Sequence, residues 1–433
     1  MPSRTTHRSR CGPRSTTAAR NELTGVGAAL DRAHRDEWGR LLALLVARFR
    51  RLDLAEDGLA DAFEAAARTW PRDGVPANPA GWLLTAARRR VLDRLRKEEG
   101  LATSMPLLAV EAELAEEAQR VMADGGERLT DERLRLALLC AHPLLSREAA
   151  AALALRLVLG VPTADIARLF LQSTATMAAR LTRAKQRLAG ERFAVPGGAE
   201  LAGRLDVVTE VAYLAFTAGY APASGPDVLR VDLAGEAVRL VRVLRAVFPP
   251  DAPPDQRVEL DALLALMLLQ HARRDARVHA GALVLLPDQD RTRWHQGEIE
   301  EALDLLAPLA GRPGSPYLLQ ALIAAEHAIA PTPAATAWHR IVARYDELLA
   351  ITDSPVVRLN RAVAVAEADG PAAGLAALAG VALRGHRLPA VRAELLARLG
   401  ERTAARTSYD AALAACTNDA ERAHLQRRRA ALG

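Results

Sequence analysis

The sequence predicts an all-α fold, and three observations carry that expectation. Ala, Leu and Arg dominate the 433 residues while aromatics supply only 4%, a mix that favours helices over the β-branched and aromatic composition of sheets. Apolar residues recur at helical rather than alternating spacing. Gly and Pro then divide the chain into helix-sized pieces. At roughly 150 residues per domain the length allows about three domains.

The elements follow in order. The first twenty residues hold five Arg and no acid, and with no apolar core behind them residues 1–30 read as a disordered tail or an over-long start. Residues 31–100 form a helical module in which Pro71, Gly74, Pro76 and Pro79 separate helices around one loop. Residues 101–130 read as an acidic linker, since positions 98 to 132 carry ten acidic and two basic residues together with Gly125 and Gly126, a solvated composition. A second helical module occupies 131–195 and is closed by Pro196, Gly197 and Gly198. Residues 199–433 show helix after helix, punctuated at Gly225, Pro249, Pro287, Pro308, Pro331, Pro355, Gly370 and Gly400, which suggests stacked helical hairpins. The last of these fits a tetratricopeptide template, with Gly400 at the turn and Ala405, Tyr409, Ala412 and Leu413 behind it; Asn360 to Leu378 is a looser copy. No period is readable before about 350, so an ordinary helical bundle is an open alternative there.

Half of the residues are hydrophobic, yet Arg, Asp or Glu interrupts every apolar run, so no membrane span is expected. Cys11, Cys140 and Cys416 lie far apart, suggesting neither a disulfide framework nor a zinc site and fitting a reducing cytoplasm. Asp288, Asp290 and Arg291 are better explained as a helix cap than as a metal site, and His271, His279, Cys140 and His142 lack further ligands in view. No metal, cofactor or catalytic constellation is expected.

The net charge is +5 and the pI about 9.5, an excess that implies a polyanionic partner only where it clusters. It clusters twice. In PTADIARLFLQSTATMAARLTRAKQRL, from Pro162, Thr163 can cap one helix, Leu171 and Gln172 make a turn, and Ser173 or Thr174 caps a second. This is a helix-turn-helix pattern whose second helix would enter the major groove. There Ser173, Thr174, Thr176 and Met177 would face base edges while Arg180, Arg183 and Lys185 hold phosphates. An amphipathic hairpin with a solvated basic face is the plainer reading. In WLLTAARRRVLDRLRK, Arg88, Arg89, Arg90, Arg94, Arg96 and Lys97 crowd one helix against Asp93, and such self-repulsion points to a counter-polyanion. An idle basic surface helix is its alternative.

Together these segments resemble the extracytoplasmic-function sigma factors of the sigma-70 family. NPAGWLLTAARRRVLDRLRK resembles the promoter-melting and −10-reading helix of region two, and the helix-turn-helix resembles the −35-reading part of region four. CAHPLLSREAAAALALRL resembles the helix pair before that motif in a subgroup with a tetratricopeptide-like extension, to which YLAFTAGYA, LLPDQDRTRWH, YLLQALIAAEHA and SPVVRLNRAVAVA are similar. The resemblance spans about 30 to 433.

The resemblance implies a cytoplasmic, nucleoid-associated initiation factor, not an enzyme, that binds core RNA polymerase and promoter DNA. Its C-terminal domain would tune activity or receive a peptide or protein ligand. Asp57, Asp61 and Phe63, on a helix from Ala55 to Trp70, would contact polymerase. Ala60 stands where the subgroup usually has Gln, and Gly58 costs that helix about 1 kcal/mol. Asn78 in the melting loop would take a base edge, and Trp82 would either stack on a base or belong to the core. A helix-turn-helix regulator with a tetratricopeptide-like interaction domain that never joins polymerase is the rival reading.

Overall fold

The chain's computed structural model describes residues 16–98, 127–170, 172–194, 196, 198–220, 231–246, 248 and 253–433. Two units divide it, Met1–Leu139 with Lys185–Ala194, and Cys140–Ala184 with Val195–Gly433.

The first unit is organised by α1 (Thr16–Phe49), α2 (Leu52–Asp73) and α3 (Pro79–Glu98). Trp38, Leu41, Leu42 and Leu45 of α1, Leu59, Ala62, Ala66 and Trp70 of α2, and Leu83, Leu84, Ala87 and Val91 of α3 are all buried. Their three- and four-residue spacing gives each helix one apolar stripe, and the three stripes close on one core. Gly58 lies where α2 crosses α3: a Cβ there would stand 2.7 Å from Val91 Cγ2 and 3.1 Å from the Ala87 carbonyl oxygen. The residue that weakens the helix therefore permits the crossing. Gly74, at φ 84°, ends α2 with its N–H on the Trp70 carbonyl.

Two expected boundaries shift. Residues 16–30, expected as tail, belong to α1, because their Ala-rich sequence forms helix readily; residues 1–15, with Cys11, lie outside the described residues. The linker expected over 101–130 lies outside them up to 126, and its last residues open α4 (Glu127–Cys140).

The second unit begins with α5 (Arg147–Leu157), α6 (Thr163–Leu169) and α7 (Thr174–Arg187), the last of which ends, from Lys185, in the first unit. It continues through α8 (Gly198–Tyr220), α9 (Val231–Ala246), α10 (Pro254–His271), α11 (Gln296–Leu306), α12 (Pro316–Ile329), α13 (Trp338–Ile351), α14 (Pro355–Asp369), α15 (Pro371–Ala377), α16 (Arg387–Arg398), α17 (Arg402–Ala415) and α18 (Asp419–Ala430). Neighbours in sequence pack as hairpins: α8 on α9, α10 on α11, α13 on α14, α14 on α15 and α16 on α17. α10 is buried almost continuously from Leu260 to Leu269, which marks it as the central helix of this unit. α5 packs on α8, with Arg147 paired to Glu210 at 2.8 Å.

Pro355 takes the first position of α14 behind the Ser354 cap, and Pro287 and Pro308 fall in 3-10 turns. Gly225 and Pro249 lie outside the described residues. Gly400, at φ 83°, makes the turn before α17, whose Ala405, Tyr409 and Ala412 are buried. A Cβ on Gly374 would stand 2.4 Å from the Ala366 Cβ, so α15 meets α14 through small residues. Among the described residues the strands are Val278–His279 and Ala282–Leu283, a ladder closed by Ala280 and Gly281 at positive φ. An Ala-Gly turn lacks the Asn or Asp that announces such hairpins, and the sequence reading did not anticipate it.

Candidate nucleic-acid interface

α3 opens on an Asn cap. The N–H of Gly81 donates to Asn78 Oδ1 at 2.9 Å, and Pro79 takes the first helical position, where a missing N–H costs nothing. Gly81 leaves room for that side chain, since a Cβ would fall 2.9 Å from Asn78 Nδ2. The cap uses only the oxygen, so the exposed carboxamide keeps its two N–H donors. Val75, in the same loop, is 40% exposed. Trp82 is half-buried, edge-on to the buried Trp70 with ring centroids 5.7 Å apart, and so packs against the core.

Along α3, Arg89, Arg90, Asp93 and Lys97 are exposed and Arg96 partly so. Their spacing places them on one face, where Arg96 lies 3.6 Å from Asp93. Two residues of the predicted set are engaged within the protein. Arg88 is 3% exposed, because it shares the stripe of Leu84, Ala87 and Val91. Arg94 spans α2 and α3, reaching Asp61 at 2.9 Å and Asp57 at 3.2 Å. The two acids assigned to polymerase are thus partners of a cation assigned to DNA. Phe63 packs against Trp38 and His34, with centroids 5.8 and 5.3 Å away.

In the helix-turn-helix, Pro162 rather than Thr163 holds the cap position of α6, without a side-chain bond. Leu171 lies outside the described residues. Ser173 caps α7: the N–H of Thr176 donates to its Oγ at 3.1 Å, and the two hydroxyls lie 2.8 Å apart. Met177, expected at base edges, is 0% exposed and lines up with buried Leu181 and Ala184. It therefore leaves the base-reading set, since a core position cannot reach a groove.

Arg180 donates to Glu148 at 3.0 Å and Lys185 to the buried Glu56 at 2.8 Å, so two of the three predicted phosphate anchors are held by carboxylates. Arg183 is exposed, its Nε turned to the Ala179 carbonyl. The outward face of α7 consists of Thr174, Ala175, Thr176, Ala178, Ala179, Thr182, Arg183, Gln186 and Arg187. Thr182, Gln186 and Arg187 were missed, although their spacing opposite Met177, Leu181 and Ala184 marks them.

Elsewhere, the Thr292 N–H donates to Asp290 Oδ1 at 3.0 Å, as expected of a cap. His271 pairs with Glu298 at 3.0 Å beside Arg274. His386, Cys416 and Glu421 bring ligand atoms within 4.8 Å of one another, a grouping that their sequence separation hid. Glu421 is already paired with His386 at 2.8 Å. Burial raises its carboxyl, but His386, Arg387 and Arg277 outweigh that and hold it low, an environment hostile to an added cation. Among the described residues no helix is long and apolar enough to cross a membrane.

Three segments match known families: Sigma-70 region 2 over 35–100, Sigma-70, region 4 over 135–188, and a family of unknown function (DUF6596) over 204–310. The chain is 41% identical over 398 residues to an uncharacterized protein of Rhizobium meliloti (strain 1021), covering 89% of this chain and 91% of that one. No solved structure matches it. The first two matched segments contain the outward faces of α3 and α7.

Proposed function

The chain carries the region 2 and region 4 segments of sigma-70 transcription initiation factors, and from that premise we propose that it is an extracytoplasmic-function sigma factor governed by its own C-terminal domain. It acts in the cytoplasm on core RNA polymerase and promoter DNA. The α3 face of Arg89, Arg90, Arg96 and Lys97 lies along −10 phosphates and fixes register, while the Asn78 carboxamide takes a base edge. Opening the duplex costs a few kcal/mol per extruded base, offset by contacts in the 74–78 loop. The outward face of α7, beginning at Thr174 and Thr176, takes the −35 element, with Arg183 and Arg187 beside phosphates.

One observation carries this reading: a cap that leaves an exposed amide free stands at the head of a helix whose outward face is basic. The tetratricopeptide-like character of residues 199–433 is supported by the Gly400 turn and the small-residue crossing at Gly374. Such hairpin stacks present broad binding surfaces, and here the domain receives a protein signal.

Run-off transcription with purified core polymerase tests the proposal. Discrete starts sharing two spaced upstream elements are expected. Silence, combined with tight duplex binding by the protein alone, would instead favour a regulator that never joins polymerase. Removing residues 199–433 without altering output would overturn the regulatory clause.

A further inference from the structure

In the second unit, α13, α14 and the 286–291 segment enclose a pocket of about 250 Å³, with Arg291 on its wall. We propose that it binds a small organic monocarboxylate, whose oxygens meet the Arg291 guanidinium and whose hydrocarbon body lies among Ile341, Trp338 and Tyr345.

The cation comes first. Arg291 Nη1 donates to the His327 and Ala330 carbonyls at 2.7 and 2.9 Å, which holds the guanidinium at the end of the pocket that His327, Pro333 and Thr336 also line. The C-terminus of α12 thereby lends it partial negative charge, but no counter-ion. This cap occupies one nitrogen only. Nη2 donates to nothing among the described residues, and Nε is buried without an acceptor. Those two N–H groups share the edge of a guanidinium that matches both oxygens of a carboxylate.

Its surroundings add positive charge. Arg291 lies 4.4 Å from the Trp294 ring centroid, and Arg273 lies 5.9 Å from the same ring. Arg273 donates to the Tyr220 hydroxyl at 2.6 Å, and neither arginine has a carboxylate partner among the described residues. Burial, then Arg273, lowers the Arg291 guanidinium. Burial, reinforced by Arg273 and Arg291, pushes the His327 imidazole down to about 4, so it is neutral at physiological pH. Glu367, the acid on the pocket wall, is already paired with Arg398. A half-buried guanidinium without a counter-charge is costly, and an incoming anion offsets that cost.

Size and walls then select among anions. Pockets for drug-sized molecules begin near roughly 300 Å³, so a nucleotide is too large here. Arg291 is the one charged donor on the wall, which suits a single carboxylate. Ile341, Val363, Ala364 and the rings of Trp338 and Tyr345 form much of the remainder. Inorganic phosphate would gain nothing from them, whereas a short aliphatic or aryl body buries apolar surface there.

This inference goes beyond the protein signal proposed for the same domain; promoter output tests that reading, and binding by the free protein tests this one. Full-length protein is titrated calorimetrically with 3-phenylpropionate, hexanoate, 3-phenylpropionamide and inorganic phosphate. Both carboxylates should saturate one site with Kd of about 1 mM or tighter, and the amide and phosphate should bind at least about tenfold more weakly. Arg291→Gln should weaken the carboxylates by a similar factor, while Arg293→Gln, at an exposed neighbour, should leave them unchanged. Since Arg291→Gln also removes the cap of α12, a diazirine-bearing 3-phenylpropionate locates the site in the unaltered protein, with photolabel expected within 286–291, 327–345 or 360–367. Neither carboxylate saturating, amide or phosphate binding as tightly as the acids, or label confined to other segments overturns the proposal.

Discussion

A Cβ on Gly58 would stand 2.7 Å from Cγ2 of Val91, which sets local propensity against packing at the α2–α3 crossing. Ala is the better helix former by about 1 kcal/mol, yet overpacking a tight core costs about 1–3 kcal/mol. Gly58→Ala is therefore expected to lower the urea midpoint. A midpoint that rises would mean that the helices separate freely.

Asn78 combines a cap with a proposed base contact, and two substitutions separate them. Asn78→Ala should cost about 1 kcal/mol of stability, whereas Asn78→Asp keeps the accepting oxygen. Both lose the N–H donors. Permanganate reactivity of promoter thymines should fall in both variants, and full reactivity with Asp would confine Asn78 to its structural role.

The three successive arginines of α3 should behave differently. Removing Arg89 or Arg90 should lower the slope of log K against log salt by about 0.9 each, with little change in folding. Arg88, at 3% exposed, should destabilise the protein when replaced by Ala. Equal salt slopes for all three would refute this division.

Much of this was legible in the sequence because helical periodicity and capping chemistry are local. The pattern around Ser173 placed the start of α7, and Gly400 placed a turn. What failed depended on rotation and distance. One residue's offset, about 100° around a helix, separates buried Arg88 from exposed Arg89. Likewise, Arg94 with Asp61, and Lys185 with Glu56, are 33 and 129 positions apart, so no window of sequence could pair them. The Gly58 penalty was visible, whereas its reason lay in Val91 of another helix.

Met177 supplies a contrast within α7. Truncating this buried side chain to Ala should cost about 2–5 kcal/mol, whereas Met177→Leu should leave both stability and −35 preference nearly unchanged. Thr176→Val should alter base preference without unfolding the motif's core. Selection on randomised −35 sequences reads this directly, and a changed preference in the Met177→Leu variant would return Met177 to the groove.

His327 gives a stability prediction with a definite sign. Its folded-state pKa, lowered to about 4 by burial and by Arg273 and Arg291, lies below the value of about 6.5 in an unfolded chain. Between those values the unfolded chain binds a proton that the folded one does not, so stability must rise with pH. The contribution is complete above pH 6.5 and is lost progressively as pH falls toward 4. His327→Gln abolishes the titration while keeping a polar group of similar size. Urea midpoints at about pH 7.5, 6 and 5 should therefore fall more steeply for the unaltered protein than for the variant, even though carboxylates titrate in both. Parallel curves would mean that the imidazole accepts its proton in the folded state.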